Sequence, residues 1–198
     1  MTKLYTATQL IAEHLAKVKI GEIAVLPVIL KEQPPDGYIF DCLVCPSFIE
    51  FVPESDSEHD DFVRIKLQYP IGTTIGVKET WGYDISHMNP QRQVIILKSE
   101  VGNHKEYQDV SWHSASTMPK DAIRWFGTVT GNRVCRVQEM TYDDITSMGF
   151  DILLDEYQQP FDSTFRQYWN SQHAKKGYGW DKNPFLELLT IRRERNDY

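Results

Sequence analysis

The chain has 198 residues, a hydrophobic fraction of 41%, a charged fraction of 25% and a formal net charge of −7. Such a chain can bury a sizeable core without a disulfide framework, and its composition is that of a globular protein of one domain, or one domain plus an insertion. The acidic balance argues against broad electrostatic binding to nucleic acid and against a membrane surface, although a local patch can still be basic.

No apolar run is long enough to span a bilayer, and the first residues lack the basic start and apolar stretch of a signal peptide. A soluble, intracellular protein is the expectation. The three cysteines are Cys42, Cys45 and Cys135. Cys42-Leu-Val-Cys45 has C-x-x-C spacing, but no second pair follows at finger-like spacing, so reduced structural thiols are expected. The six histidines are scattered and lack an H-E-x-x-H pattern, so neither a metal nor another cofactor is expected.

Along the chain, Thr6-Ala-Thr-Gln9 reads as a capping box opening a helix to about Val18, with Ala7, Leu10, Ile11, Leu15 and Val18 at helical spacing. Gly21 ends it. Residues 22–30 read as a strand in which Pro27 marks an edge or a bulge. Pro34-Pro-Asp-Gly37 is a turn that returns a strand over 38–44 beside it. The acidic run 53–61 reads as a solvated loop. Strands follow at 62–67, 75–81 and 93–97, and a hairpin at 123–130 and 133–138 turns on Thr130-Gly-Asn132. Thr141 caps a short helix that Gly149 stops, a helix spans 161–173, and 185–191 is the closing strand. Many short strands with few, peripheral helices predict an α+β fold built as a mixed β-barrel, with residues 1–71 integrated into one domain spanning 1–198.

The most informative segment is Tyr69-Pro-Ile-Gly-Thr-Thr-Ile-Gly-Val-Lys-Glu-Thr-Trp81. Read as a turn and a strand, it places Glu79 on the same face as Ile75 and Val77. A carboxylate there must find a hydrogen-bonding partner or shift its pKa. Glu79 is therefore a site candidate, and a structural ion pair accounts for it equally well. Lys120 and Arg124 offer a positive site for carboxylate or phosphate, against pairing with local acids such as Asp121. Trp81 and Trp112 offer faces for stacking a base, against core packing. Lys19 at the helix end is a cation for the dipole or a desolvated base. The loop from Tyr178 to Phe185 is dense in aromatics, Gly and Pro, with Asn183 holding its turn; it reads as a plug or as a carrier of binding groups.

Gly72…Val77-Lys-Glu-Thr-Trp81, Trp112-His-Ser…Met118-Pro…Ala122-Ile-Arg124, Val134 through Ile145, and Trp180…Asn183-Pro-Phe185 occur in an order that resembles the ASCH-type members of the PUA-like superfamily, in particular a group encoded by bacteriophages and prophages. The resemblance covers roughly Gly72 to Arg193. It implies a small β-barrel with a cleft for RNA, a nucleotide or a modified nucleoside, in a protein working in the host cytoplasm. Some relatives are amidohydrolases of acetylated cytidine that use a lysine, a threonine and a strand glutamate. Glu79 matches the glutamate and Lys19 can be set on the lysine, but Glu22 stands where the threonine belongs, in Lys17-Val-Lys-Ile-Gly-Glu-Ile-Ala24. That departure removes the hydroxyl nucleophile and two arginines of the phage pattern.

The leading expectation is a binding protein for a nucleotide, modified nucleoside or single-stranded RNA, with Glu79, Trp81, Trp112, Lys120, Arg124 and Asn183 as ligand contacts. A hydrolase using Glu79 as general base and Lys19 as electrostatic stabiliser is the enzymatic alternative. An acidic protein that captures a host factor through Glu54–Asp61 is the third.

Overall fold

A computed structural model describes residues 2–45, 47–54, 61–84, 94–150 and 163–195. In chain order the elements are β1 (Lys3–Thr6), α1 (Gln9–Lys17), β2 (Ile23–Ile29), β3 (Tyr38–Cys45), β4 (Phe48–Pro53), β5 (Val63–Lys66), β6 (Thr74–Lys78), β7 (Trp81–Asp84), β8 (Val94–Leu97), α2 (Lys98–Val101), β9 (Trp125–Arg136), α3 (Tyr142–Thr146), α4 (Ser163–His173) and β10 (Phe185–Glu194). The fold is mixed α+β with short helices. Its strands form sheets ordered β1-β6-β9-β10-β2, β3-β4-β5 and β7-β8, and none is a closed barrel.

The chain divides into two compact units. The first takes Met1–Ala24, Thr73–Thr128 and Arg192–Tyr198; the second takes Val25–Gly72 and Val129–Ile191. Residues 1–71 thus contribute to both units.

In the first unit β1 runs parallel to β6, from Lys3 opposite Ile75 to Thr6 opposite Lys78. On its other side β6 is antiparallel to the start of β9, with Val77 opposite Trp125. Gly76 fits here because an added Cβ would lie 3.1 Å from the Phe126 ring. Trp81, Leu97, Met118, Ala122 and Ile123 form the apolar cluster of this unit. The chain comes back late to complete it: Gly21 N–H donates to the Arg193 carbonyl and Arg193 N–H to the Glu22 carbonyl, both at 2.9 Å.

In the second unit, Leu30, Ile49, Phe51, Ile65, Leu67 and Phe185 form one cluster under the β3-β4-β5 sheet. Cys135, Val137, Met140, Ile145, Phe165, Trp169 and Trp180 belong to another. Burial pushes the Cys135 thiol up to about 12, so it is a packing residue with no thiolate at neutral pH. The side chains of Cys42 and Cys45 lie outside the described residues.

Several sequence expectations are corrected. The cap of α1 is Thr8, whose hydroxyl accepts from the Ile11 N–H; Thr6 instead ends a strand that its short polar-apolar segment did not announce. Strand β3 pairs with β4, not with β2, because the apolar stretch 48–53 supplies a closer antiparallel partner. The 75–81 strand is two strands, and Glu79 and Thr80 form the break between them. The Thr130-Gly-Asn132 hairpin does not exist: β9 runs straight through it. An added Cβ on Gly131 would lie 3.2 Å from the Thr190 side chain, so this glycine serves close strand approach and not a turn. Helix α4 buries Phe165 and Trp169 and exposes Gln172, and the first two residues of the expected 161–173 span lie outside the described residues. So does most of the acidic run, 55–60.

Candidate functional site

Glu79 and Glu187 are the two buried charged residues among those described, at 6% and 0% exposure. Their surroundings separate a structural carboxylate from a candidate functional one. Glu187 on β10 accepts from the backbone N–H of Gln68 and of Tyr69, both at 3.0 Å, and from Asn132 Nδ2 at 2.6 Å. Three donors satisfy it, and it ties the 68–69 segment and β9 to β10 within the second unit. Burial and the nearby Glu187 charge raise the Tyr69 phenol above its usual range.

Glu79 is placed differently. It leaves β6 just as the backbone changes sheets: Lys78 still pairs with β1, and Trp81 already pairs with β8. Its N–H donates to the Met118 sulfur, at 3.3 Å, and Lys98 N–H donates to the next carbonyl, Thr80, at 3.0 Å. Its carboxylate accepts from the Ser99 hydroxyl at the start of α2. Burial raises the Glu79 pKa first of all, with Glu100 adding to the rise; the Ser99 hydrogen bond and the Arg124 charge oppose it. The result is a carboxyl that holds its proton above the ordinary carboxylate range.

Glu79 lines a cleft of about 80 Å³ within the first unit, together with Ala12, Leu15, Val77, Leu97, Ser99, Glu100, Arg124, Trp125 and Arg193. A single water needs about 10–15 Å³ by such a measure, so the cleft admits a small planar group or an amide, with anything larger left outside. Arg124 stands at its rim, donating to Glu100 at 2.7 Å and to the Ile95 carbonyl at 2.8 Å. Arg193 donates to the Val18 carbonyl. Trp125 is 3% exposed, and its indole N–H has no hydrogen-bond partner among the described residues. A buried donor left unmade costs about 1–3 kcal/mol, which a carbonyl entering the cleft would recover.

Of the residues singled out in the sequence, Glu79 and Arg124 line this cleft. Trp81 is core: it is 7% exposed, stacks on His113 with ring centroids 4.6 Å apart and meets Tyr83 edge-on. Trp112 is half-buried, with the Lys98 ammonium 5.8 Å from its ring centre. Lys120 is exposed in a single helical turn. Lys19 is exposed too, and its backbone N–H donates to the Glu22 carboxylate at 2.8 Å, so Glu22 caps the turn where the resemblance expects a hydroxyl. Asn183 belongs to the second unit. Ser99, Trp125 and Arg193 were missed. Ser99 and Arg193 carry no local motif, and Trp125 reads simply as a strand aromatic.

No family model, curated protein or solved structure matches the chain. Among the described residues no group of His, Cys, Asp and Glu is arranged to hold a metal ion, and no helix is long and apolar enough to cross a membrane.

Proposed function

We propose that the chain is a phage-encoded, PUA/ASCH-like binding protein of the host cytoplasm, and that the Glu79 cleft takes the base of a nucleotide, a modified nucleoside or single-stranded RNA. The observation that carries this reading is the pairing, in one cleft, of a high-pKa carboxyl and an unsatisfied buried indole N–H. The carboxyl can accept from an N–H, and the indole N–H can donate to a carbonyl. Together they match a flat edge that alternates carbonyl and N–H, as nucleobases do. The PUA-like arrangement rests on the sequence resemblance alone, beside an α+β fold whose sheets are open.

Native mass spectrometry of the protein mixed with nucleosides, nucleotides and short RNA tests the reading. A discrete retained ligand, lost in Glu79→Gln, is the expected result. No retained ligand across the mixture removes it.

A hydrolytic reading has one observation of its own. Burial raises the Glu79 pKa, the direction general acid–base work calls for, and its carboxylate accepts from the Ser99 hydroxyl. In that reading Glu79 activates water against a nucleoside amide, with Arg124 in the electrostatic role first given to Lys19. A mass change in the retained ligand that Glu79→Gln abolishes supports it; turnover that survives the change dismisses Glu79 as the base.

A further inference from the structure

The second unit carries a concavity that the reading above does not use. Its walls are Gln33 to Asp36, Arg136 on β9, and residues between Gly177 and Phe185, around about 160 Å³. These walls are fixed by the backbone. Gln33 donates through Nε2 to the Leu30 and Phe185 carbonyls, at 3.0 and 3.1 Å, and accepts from the Phe185 N–H at 2.8 Å. Asn183 sits in the left-handed region at φ 45, with Oδ1 accepting from the Gln138 N–H at 3.1 Å. Gln138 in turn donates to the Trp180 carbonyl at 2.9 Å. A site so fixed loses little freedom when it binds.

Arg136 is the informative group. Its guanidinium carbon lies 4.1 Å from the centre of the Phe185 ring, and Nη1 donates to the Asn183 carbonyl at 3.0 Å. Arg64, Arg124, Arg133, Arg166 and Arg192 each face a carboxylate, whereas Arg136 has no ion-pair partner among the described residues. The nearby Glu139 carboxylate is engaged by the backbone N–H of Arg136 at 2.8 Å. A guanidinium has five N–H donors in a flat fork, and Asn183 uses one. Lys182 adds an exposed ammonium to the same walls, Asp36 is the one acid among the lining residues, and Tyr178, Pro34, Pro35 and Pro184 supply apolar surface.

We infer that this concavity binds a small oxyanion, a carboxylate or phosphate monoester carried on a flat apolar body. Arg136 grips the oxyanion with its remaining donors, Lys182 supplies a second positive charge, and the body lies against Tyr178 and the prolines. The pre-oriented fork favours a planar two-oxygen face. The site is independent of the Glu79 cleft and of its ligand.

Titrating the full chain with benzoate and with phenyl phosphate, followed by the backbone amide NMR signals of Gly177 and Asn183, tests this. Saturable shifts at millimolar or lower concentration are expected with at least one anion, and the tighter of the two identifies the oxyanion type. Benzyl alcohol, which keeps the ring and lacks the charge, should not saturate. Arg136→Lys keeps the charge over Phe185 but loses the fork, and should weaken binding roughly tenfold. Lys182→Met, on an exposed side chain, repeats the test should Arg136→Lys perturb the fold, and should weaken binding several-fold. The inference is overturned if neither anion gives a saturable shift, if benzyl alcohol binds as well as benzoate, or if both variants leave the affinity unchanged.

Discussion

The Ser99 hydroxyl donates to the Glu79 carboxylate, joining the start of a four-residue helix to the break between two strands. This contact favours the charged form of Glu79 against the burial that disfavours it. Ser99→Ala should therefore raise the Glu79 pKa further. It should also cost about 1 kcal/mol of stability, as the loss of one half-buried hydrogen bond does. Carboxyl NMR titration with urea unfolding checks both; a lower Glu79 pKa in the variant would contradict the assignment.

Glu79 also sets a pH dependence. Its folded-state pKa is raised, so the folded chain holds this proton more tightly than the unfolded one. The resulting stabilisation is complete below the ordinary glutamate range, about pH 4, and is lost as pH rises through the higher folded value. Glu79→Gln carries no such proton. The stability of the parent chain relative to this variant should fall from acid toward neutral pH, and urea midpoints across that range measure it. A parent that gains on the variant as pH rises would reverse the sign and reject a raised pKa.

Trp81 and Trp112 should behave differently under the same substitution. Trp81→Ala removes a core side chain and should cost about 3–5 kcal/mol, unfolding much of the protein near body temperature. Trp112→Ala, at a half-buried position, should leave the fold intact. If Trp112 stacks a ligand, that substitution weakens affinity by about 1–3 kcal/mol. Unchanged affinity in folded Trp112→Ala protein ends the stacking role.

Glu187→Ala should be among the most destabilising polar substitutions in the chain. It removes the acceptor of the half-buried Gln68 and Tyr69 N–H groups and one of the two acceptors of the Asn132 amide, with a loss of about 2–3 kcal/mol. A variant within experimental error of the parent in urea would show that those donors find other acceptors.

The sequence made the strong local signals legible. The Thr141 cap, the Gly149 stop, the helix that ends at His173 and the strands 63–66 and 94–97 follow from side-chain chemistry over a few residues. What it hid was pairing and close approach. Gly131 beside Asn132 has the composition of a turn, yet its lack of a Cβ serves a neighbouring strand that arrives about sixty residues later. Glu79 stood out because a carboxylate in an apolar strand segment is costly. Its partners did not, because Ser99, Trp125 and Arg193 come from three separate stretches that only tertiary contact unites. Glu187 within a run of leucines carried the same signal as Glu79 and went unread.

The return of Arg193 to Gly21 and Glu22 has a consequence for how the protein is made. Arg193 also donates to the Val18 carbonyl, 175 positions earlier in the chain. During synthesis the helix at the start and its exit turn emerge long before the strand that completes their hydrogen bonds. Until then those carbonyls have only water, and the apolar face of α1 lacks part of its cover. Contacts this distant in sequence are slow to close and leave early segments open to misassociation. A ribosome stalled before Arg193 should thus display a first unit that proteases cut readily, and release of the residues beyond it should be the step that confers resistance.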